Sequence, residues 1–217
     1  MSRLTCRGLV VGLLVLGSAA AWASPLTLTA KGVACDLGPA GTIVLGIPAL
    51  DGRGTHAPVL EASIKTDGRT LTGKYGAPFD GAAVEMKILQ EGKVEYRYTS
   101  IPSDLRIVMC QFNLPASSIA SGVTVRFDGG APKAIPAEPG KTKEAARLAS
   151  MNGEKLEIAW PTGEMLGLVS PRCWHGIQDN RVWGKSFVGV CLTPPVTRDT
   201  ATFVLTFSVT PPVPAGL

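Results

Sequence analysis

Along most of this chain, apolar and polar residues alternate over short runs, and glycine, proline or an Asx-Gly pair closes nearly every run. A period of two sends alternate side chains to opposite faces of an extended strand, so the pattern predicts half-buried β-strands. Leu26 to Ala30 opens the series, and Gly41 to Ile47 is a β-branched run stopped by Pro48. Leu60 to Lys65 leads through Asp67-Gly68, a tight-turn signal, into Thr70 to Thr72. Ala83 to Leu89 and Lys93 to Thr99 flank Glu91-Gly92, and Val94, Tyr96 and Tyr98 share one face of the second strand. Leu105 to Phe112, Val123 to Phe127, Lys155 to Trp160, Met165 to Val169, Trp174 to Gln178, Ser186 to Leu192 and Thr202 to Val209 complete it. Roughly eleven to thirteen short strands predict an all-β fold, a sandwich of two antiparallel sheets.

Only Lys141 to Ala149 has helical composition, so one short helix is expected near residues 141–149. The Pro-rich stretch 129–140 ahead of it reads as a long surface loop rather than a domain linker. The roughly 70 residues that follow are few to close a sandwich alone.

The N-terminus has a different pattern. Arg3 and Arg7 precede the uncharged apolar run Gly8 to Leu16, and small residues follow up to Ala21-Trp22-Ala23. That order predicts a secretory signal peptide over residues 1–23. The apolar run is far shorter than the roughly 20 residues a spanning helix needs. Cys6 lies ahead of the run, where a lipid-attachment cysteine does not sit. No later stretch predicts a membrane span. The expected layout is a signal peptide (1–23), a single β-sandwich domain (24–210) and a flexible Pro-rich tail (211–217), in a secreted or periplasmic protein.

Hydrophobic residues make up 45% and charged residues 18% of the chain, a composition that excludes disorder. The net charge is +4 with no basic block, which argues against a nucleic-acid partner. Beyond Cys6 stand Cys35, Cys110, Cys173 and Cys191. In an oxidising compartment four cysteines read as two disulfides, with three pairings open. The strand–turn–strand between them favours Cys173–Cys191, with Cys35–Cys110 as the second pair. The alternative is that they are buried thiols. No zinc-type spacing occurs, and only His56 and His175 are available as imidazole ligands, so no metal or other cofactor is expected.

Catalytic signatures are absent: there is no Gly-x-Ser-x-Gly, no His-Glu-x-x-His and no phosphate-binding glycine loop. His56 sits in a polar turn. The densest set of functional side chains is Arg172 to Gly184, which holds Trp174, His175, Gln178, Asp179, Asn180, Arg181 and Trp183. Aromatic faces pack on the C–H face of a sugar ring, while amides, carboxylates and arginine bond its hydroxyls. Trp160, at a strand end, is a third candidate platform. The structural alternative is a turn at Asp179-Asn180, an Asp179–Arg181 pair, and indoles that plug the core.

The C-terminal half resembles the non-catalytic β-sandwich modules of large secreted bacterial glycoside hydrolases and surface proteins. The resemblance rests on Lys155-Leu156-Glu157-Ile158-Ala159-Trp160-Pro161, Ile177-Gln178-Asp179-Asn180-Arg181, Phe187 to Val190 and Phe203 to Phe207. It implies an accessory role at a polysaccharide. The leading expectation is therefore a secreted, non-catalytic carbohydrate-binding module, with a polysaccharide or cell-surface glycan as partner. An envelope structural or protein-interaction protein is the first alternative. A small polysaccharide-active enzyme using His175 and Arg181 is the second.

Overall fold

The computed structural model describes residues 26–52, 54–89 and 92–211. The expected signal peptide lies outside them, as does the tail beyond Pro211. The strands are β1 (Leu26–Thr29), β2 (Gly32–Asp36), β3 (Thr42–Gly46), β4 (Ala49–Gly52), β5 (Thr55–Ala57), β6 (Lys65–Thr66), β7 (Thr70–Lys74) and β8 (Ala83–Ile88). They continue with β9 (Lys93–Thr99), β10 (Leu105–Pro115), β11 (Thr124–Phe127), β12 (Lys133–Ala134), β13 (Arg147–Ala159), β14 (Met165–Asp179), β15 (Phe187–Thr193) and β16 (Thr202–Thr210). The protein is thus all-β and antiparallel.

The helix falls elsewhere than expected. A single helical turn and a half, α1 (Ala116–Ala120), follows β10, whereas residues 141–149 form only a 3-10 turn at Glu144–Ala146 before β13 begins. Nine residues of good helix formers are too few to hold a helix without packing, and Arg147 and Ala149 are drawn into the ladder opposite Gln178 and Ile177. Leu60 to Lys65 likewise forms a 3-10 turn at Glu61–Ser63 rather than a strand. Asp67-Gly68 is a turn as expected: Asp67 Oδ1 accepts from the amides of Arg69 and Thr70, and these bonds hold its carboxyl below the ordinary range.

The strands do not divide into two sheets of comparable size, as the expected sandwich requires. β1–β2–β3 form a small sheet, and the other described strands join one 13-stranded sheet. That sheet forks at β14. Along one edge β14 pairs with β13 for nearly its full length. Along the other edge Met165 to Val169 pair with β16, and Trp174 to Asp179 pair with β15. One wing then runs β15–β10–β4–β5, the other β16–β9–β8–β7–β6.

The cause of the fork is local. Pro171 has no amide hydrogen for a ladder, and the β13–β14 register shifts between Gly153 and Lys155. Before the bend the even-numbered Leu166 and Leu168 are buried; after it the odd-numbered Cys173, His175 and Ile177 are. An irregularity of this kind switches which parity faces the core.

One apolar cluster fills the space inside the curled sheet and runs from Leu28 to Phe207. Cys110, Phe112 and Leu114 of β10 contribute from one wing. Tyr96 of β9 stacks on Phe203 of β16 from the other, with ring centroids 4.6 Å apart. Each such side chain removed from water contributes about 1.5–3 kcal/mol. The 129–140 stretch is fastened to this body: Ile135 is buried, and its amide donates to Val123 O. Among the described residues no helix is long and apolar enough to cross a membrane.

The cysteines correct the disulfide expectation. Among the described residues no disulfide is formed; Cys35, Cys110, Cys173 and Cys191 are all buried. The β14–β15 register sets Cys191 opposite Gly176, three residues beyond Cys173. That offset is about 10 Å along a strand, too far for a bridge. It is also odd-numbered, so the two thiols project from opposite faces. Burial pushes the Cys173 thiol up and the Cys191 thiol to about 11.

Candidate functional site

Strand parity divides the sequence cluster in two. In the second half of β14, Trp174, Gly176 and Gln178 lie on the outer face, while His175, Ile177 and Asp179 face the core. Asp179 and His175 are fully buried.

The inner set is structural. Arg181, on the 3-10 turn Asn180–Trp183, folds back onto Asp179 in a two-pronged pair, Nε to Oδ1 at 2.8 Å and Nη2 to Oδ2 at 2.9 Å. Two of its remaining donors reach the carbonyls of Ala137 (2.6 Å) and Pro136 (2.7 Å). Asp179 Oδ1 also accepts the Arg181 amide. The guanidinium therefore locks the 129–140 loop to the end of β14 and has no donor fork to spare for a ligand.

His175 sits at the fork with Ser170 and Cys173. Its Nε2 is 3.0 Å from Gly153 O, an acceptor that selects the Nε2–H tautomer. Ser170 Oγ is 3.3 Å and Cys173 Sγ 3.6 Å from the same nitrogen. Nδ1 has no partner among the described residues, and Phe127 packs edge-on to the ring. Burial lowers the imidazole below its ordinary pKa; the Gly153 bond and the Asp128 charge oppose that. The trio resembles a nucleophile–base set in composition only, since it is sealed and its thiol stays protonated.

Trp160 is 6% exposed, inside the apolar core, and so supplies no platform. Trp174 and Trp183 are 36% and 44% exposed.

The outer set forms a platform across three strands. The Trp174 indole lies across Gly176; a Cβ there would stand 2.0 Å from its ring. Gln178 Nε2 donates to Asn180 Oδ1 at 3.1 Å. Two strands away on β10, Gln111 Nε2 donates to Asn113 Oδ1 at 2.9 Å. Between these amide pairs is Gly189 of β15, where a Cβ would meet Asn180 Nδ2 at 2.8 Å and Gln111 Nε2 at 3.3 Å. Glycines at 176 and 189 thus leave a flat floor with amides on both sides and an indole at one end. Beyond β10, a cleft of about 450 Å³ opens against β3, lined by Lys31, Thr42, Val44, Gly46, Gln111 and Asn113 among others. On the opposite side, Arg147 of β13 stands across from Gln178.

Of the sequence candidates, Trp174, Gln178 and Asn180 come together here, with Trp183 on the adjoining turn; His175, Asp179, Arg181 and Trp160 do not. Gln111, Asn113, Gly189 and Arg147 were not among the candidates. Outward alternation of Gln111 and Asn113 around buried Phe112 was the available signal.

No family model matches the chain, and no curated protein matches it. Its fold is similar to part of the alpha-N-acetylgalactosaminidase NagBb from Bifidobacterium bifidum, solved in complex with GalNAc. The TM-score is 0.50, with 12% identity over 78% of this chain. The chain spans 32% of that enzyme, about a third. A more distant likeness, to HI1317, has a TM-score of 0.33 at 12% identity, covering 72% of this chain and 66% of the other. At such identities the likeness to NagBb is one of fold.

Proposed function

We propose that this is an exported, non-catalytic carbohydrate-binding module whose site is the outer face of β10, β15 and β14. The observation that carries the reading is the half-exposed Trp174 beside two preformed amide pairs on a glycine floor. An indole face takes the apolar side of a pyranose, and side-chain amides both donate to and accept from ring hydroxyls. The amide pairs hold each other in place, which lowers the ordering cost of binding. Similarity to a region of a glycoside hydrolase agrees with a role at glycans. The test is a glycan array with the secreted form of the protein, repeated with Trp174→Ala. Binding by the native protein and its loss in a folded variant support the reading; an array with no bound glycan retires it.

A further inference from the structure

We infer that the glycan recognised at this platform is acidic, carrying carboxylate or sulfate groups; the inference rests on the carbohydrate reading and adds the ligand class. The amide floor is bounded by a cation at each end. Lys31 lines the cleft beside Gln111 and Asn113, and Arg147 stands across the ladder from Gln178. Neither makes an ion pair with a carboxylate among the described residues.

No carboxylate occupies an outward position on this platform. Outward side chains on β10, β15, β14 and the first half of β13 are apolar, small, hydroxyl, amide or basic, the exposed charges being Arg106, Arg147 and Arg172. Asp179 is on the other face, neutralised by Arg181. The nearest acid in sequence is Glu144, on the turn before Arg147, and Thr142 engages its carboxylate. An exposed guanidinium and ammonium without acidic partners, set around neutral hydrogen-bonding groups, complement an anion spaced along a polyhydroxylated chain. The distance suits a polymer. Three interstrand steps separate β13 from β10, about 14 Å at the usual spacing, before Lys31 is reached. A monosaccharide cannot touch both ends.

The experiment measures affinity for matched glycan pairs: polygalacturonate against its methyl ester, and dextran sulfate against dextran, at low and high salt. The expected result is binding to an acidic member at least about tenfold tighter than to its neutral partner, weakening as salt rises. Arg147→Gln and Lys31→Gln, both exposed and each checked by its melting curve, should each weaken the acidic member several-fold and leave the neutral one unchanged. Binding of neutral and acidic members alike, with no effect of either variant, would overturn the acidic class while the module reading stands. If no glycan binds the native protein, both fail together.

Discussion

Two faces of one strand carry opposite kinds of polar chemistry. On the inner face of β14, Asp179 is sealed, and Arg181 makes four guanidinium hydrogen bonds within the protein. On the outer face, Gln178 and Asn180 bond each other and stay open to solvent on one side. A buried charge must be fully paired, because an uncompensated one costs several kcal/mol. An exposed amide tolerates a missing partner because water supplies it. A fork of donors spent inside the protein thus fits a structural role, and a preformed but unfinished network fits the binding surface we propose.

The largest expected effect comes from breaking the sealed face. Asp179→Asn leaves the Arg181 guanidinium buried without its counter-charge and should destabilise the fold by about 3–5 kcal/mol in urea unfolding. The loop at Pro136 and Ala137 should exchange its amides faster, because Arg181 no longer anchors it. A cost below about 1 kcal/mol would mean the pair is solvated and the contrast between faces is false.

The indoles sharpen the same contrast. Trp160→Ala empties a core site and should cost about 3–5 kcal/mol. Trp174→Ala should cost about 1 kcal/mol or less, as a surface change does, while weakening glycan binding by about 2 kcal/mol, roughly thirtyfold. Equal destabilisation by the two would place Trp174 in the core.

A smaller effect concerns His175. Burial depresses its folded-state pKa below the unfolded value of about 6.5. The unfolded chain therefore binds the proton first as pH falls. The stability that His175 contributes by staying neutral is complete above about pH 6.5 and is lost as pH falls through the folded-state value. The slope is at most about 1.4 kcal/mol per pH unit. His175→Gln should flatten this part of the stability–pH curve. An unchanged slope would show that another group titrates there.

Much of the fold was legible in the chain because alternation is a local signal: Lys93–Thr99 is a strand over the residues its pattern marks. The fork was not, since Met165 to Val169 and Trp174 to Gln178 read as separate strands. Only pairing with β13 across the bend makes them one. The site was half legible for the same reason. A window of sequence gathers Trp174, His175, Gln178 and Asp179, and strand parity then parts them. Gln111 joins the platform through the β10–β15 ladder, opposite Cys191 and 80 residues from it in sequence, which no local pattern reports.

The smallest expected effect tests the parity itself. With no disulfide among the described residues, dithiothreitol should leave the melting temperature unchanged, and Cys35, Cys110, Cys173 and Cys191 should all titrate as thiols after unfolding. A Cys173–Cys191 bridge would instead make reduction cost about 3 kcal/mol for a loop of this length. It would also require β14 to slide three residues against β15, because Cys191 now faces Gly176. An odd shift turns every side chain of the strand over. Trp174 and Gln178 would enter the core, and His175 and Asp179 would face water. Four thiols and an unmoved melting curve therefore report on more than redox state: they are the outcome required by the register that puts the sealed pair inside and the amide platform outside, and a bridge would overturn that register.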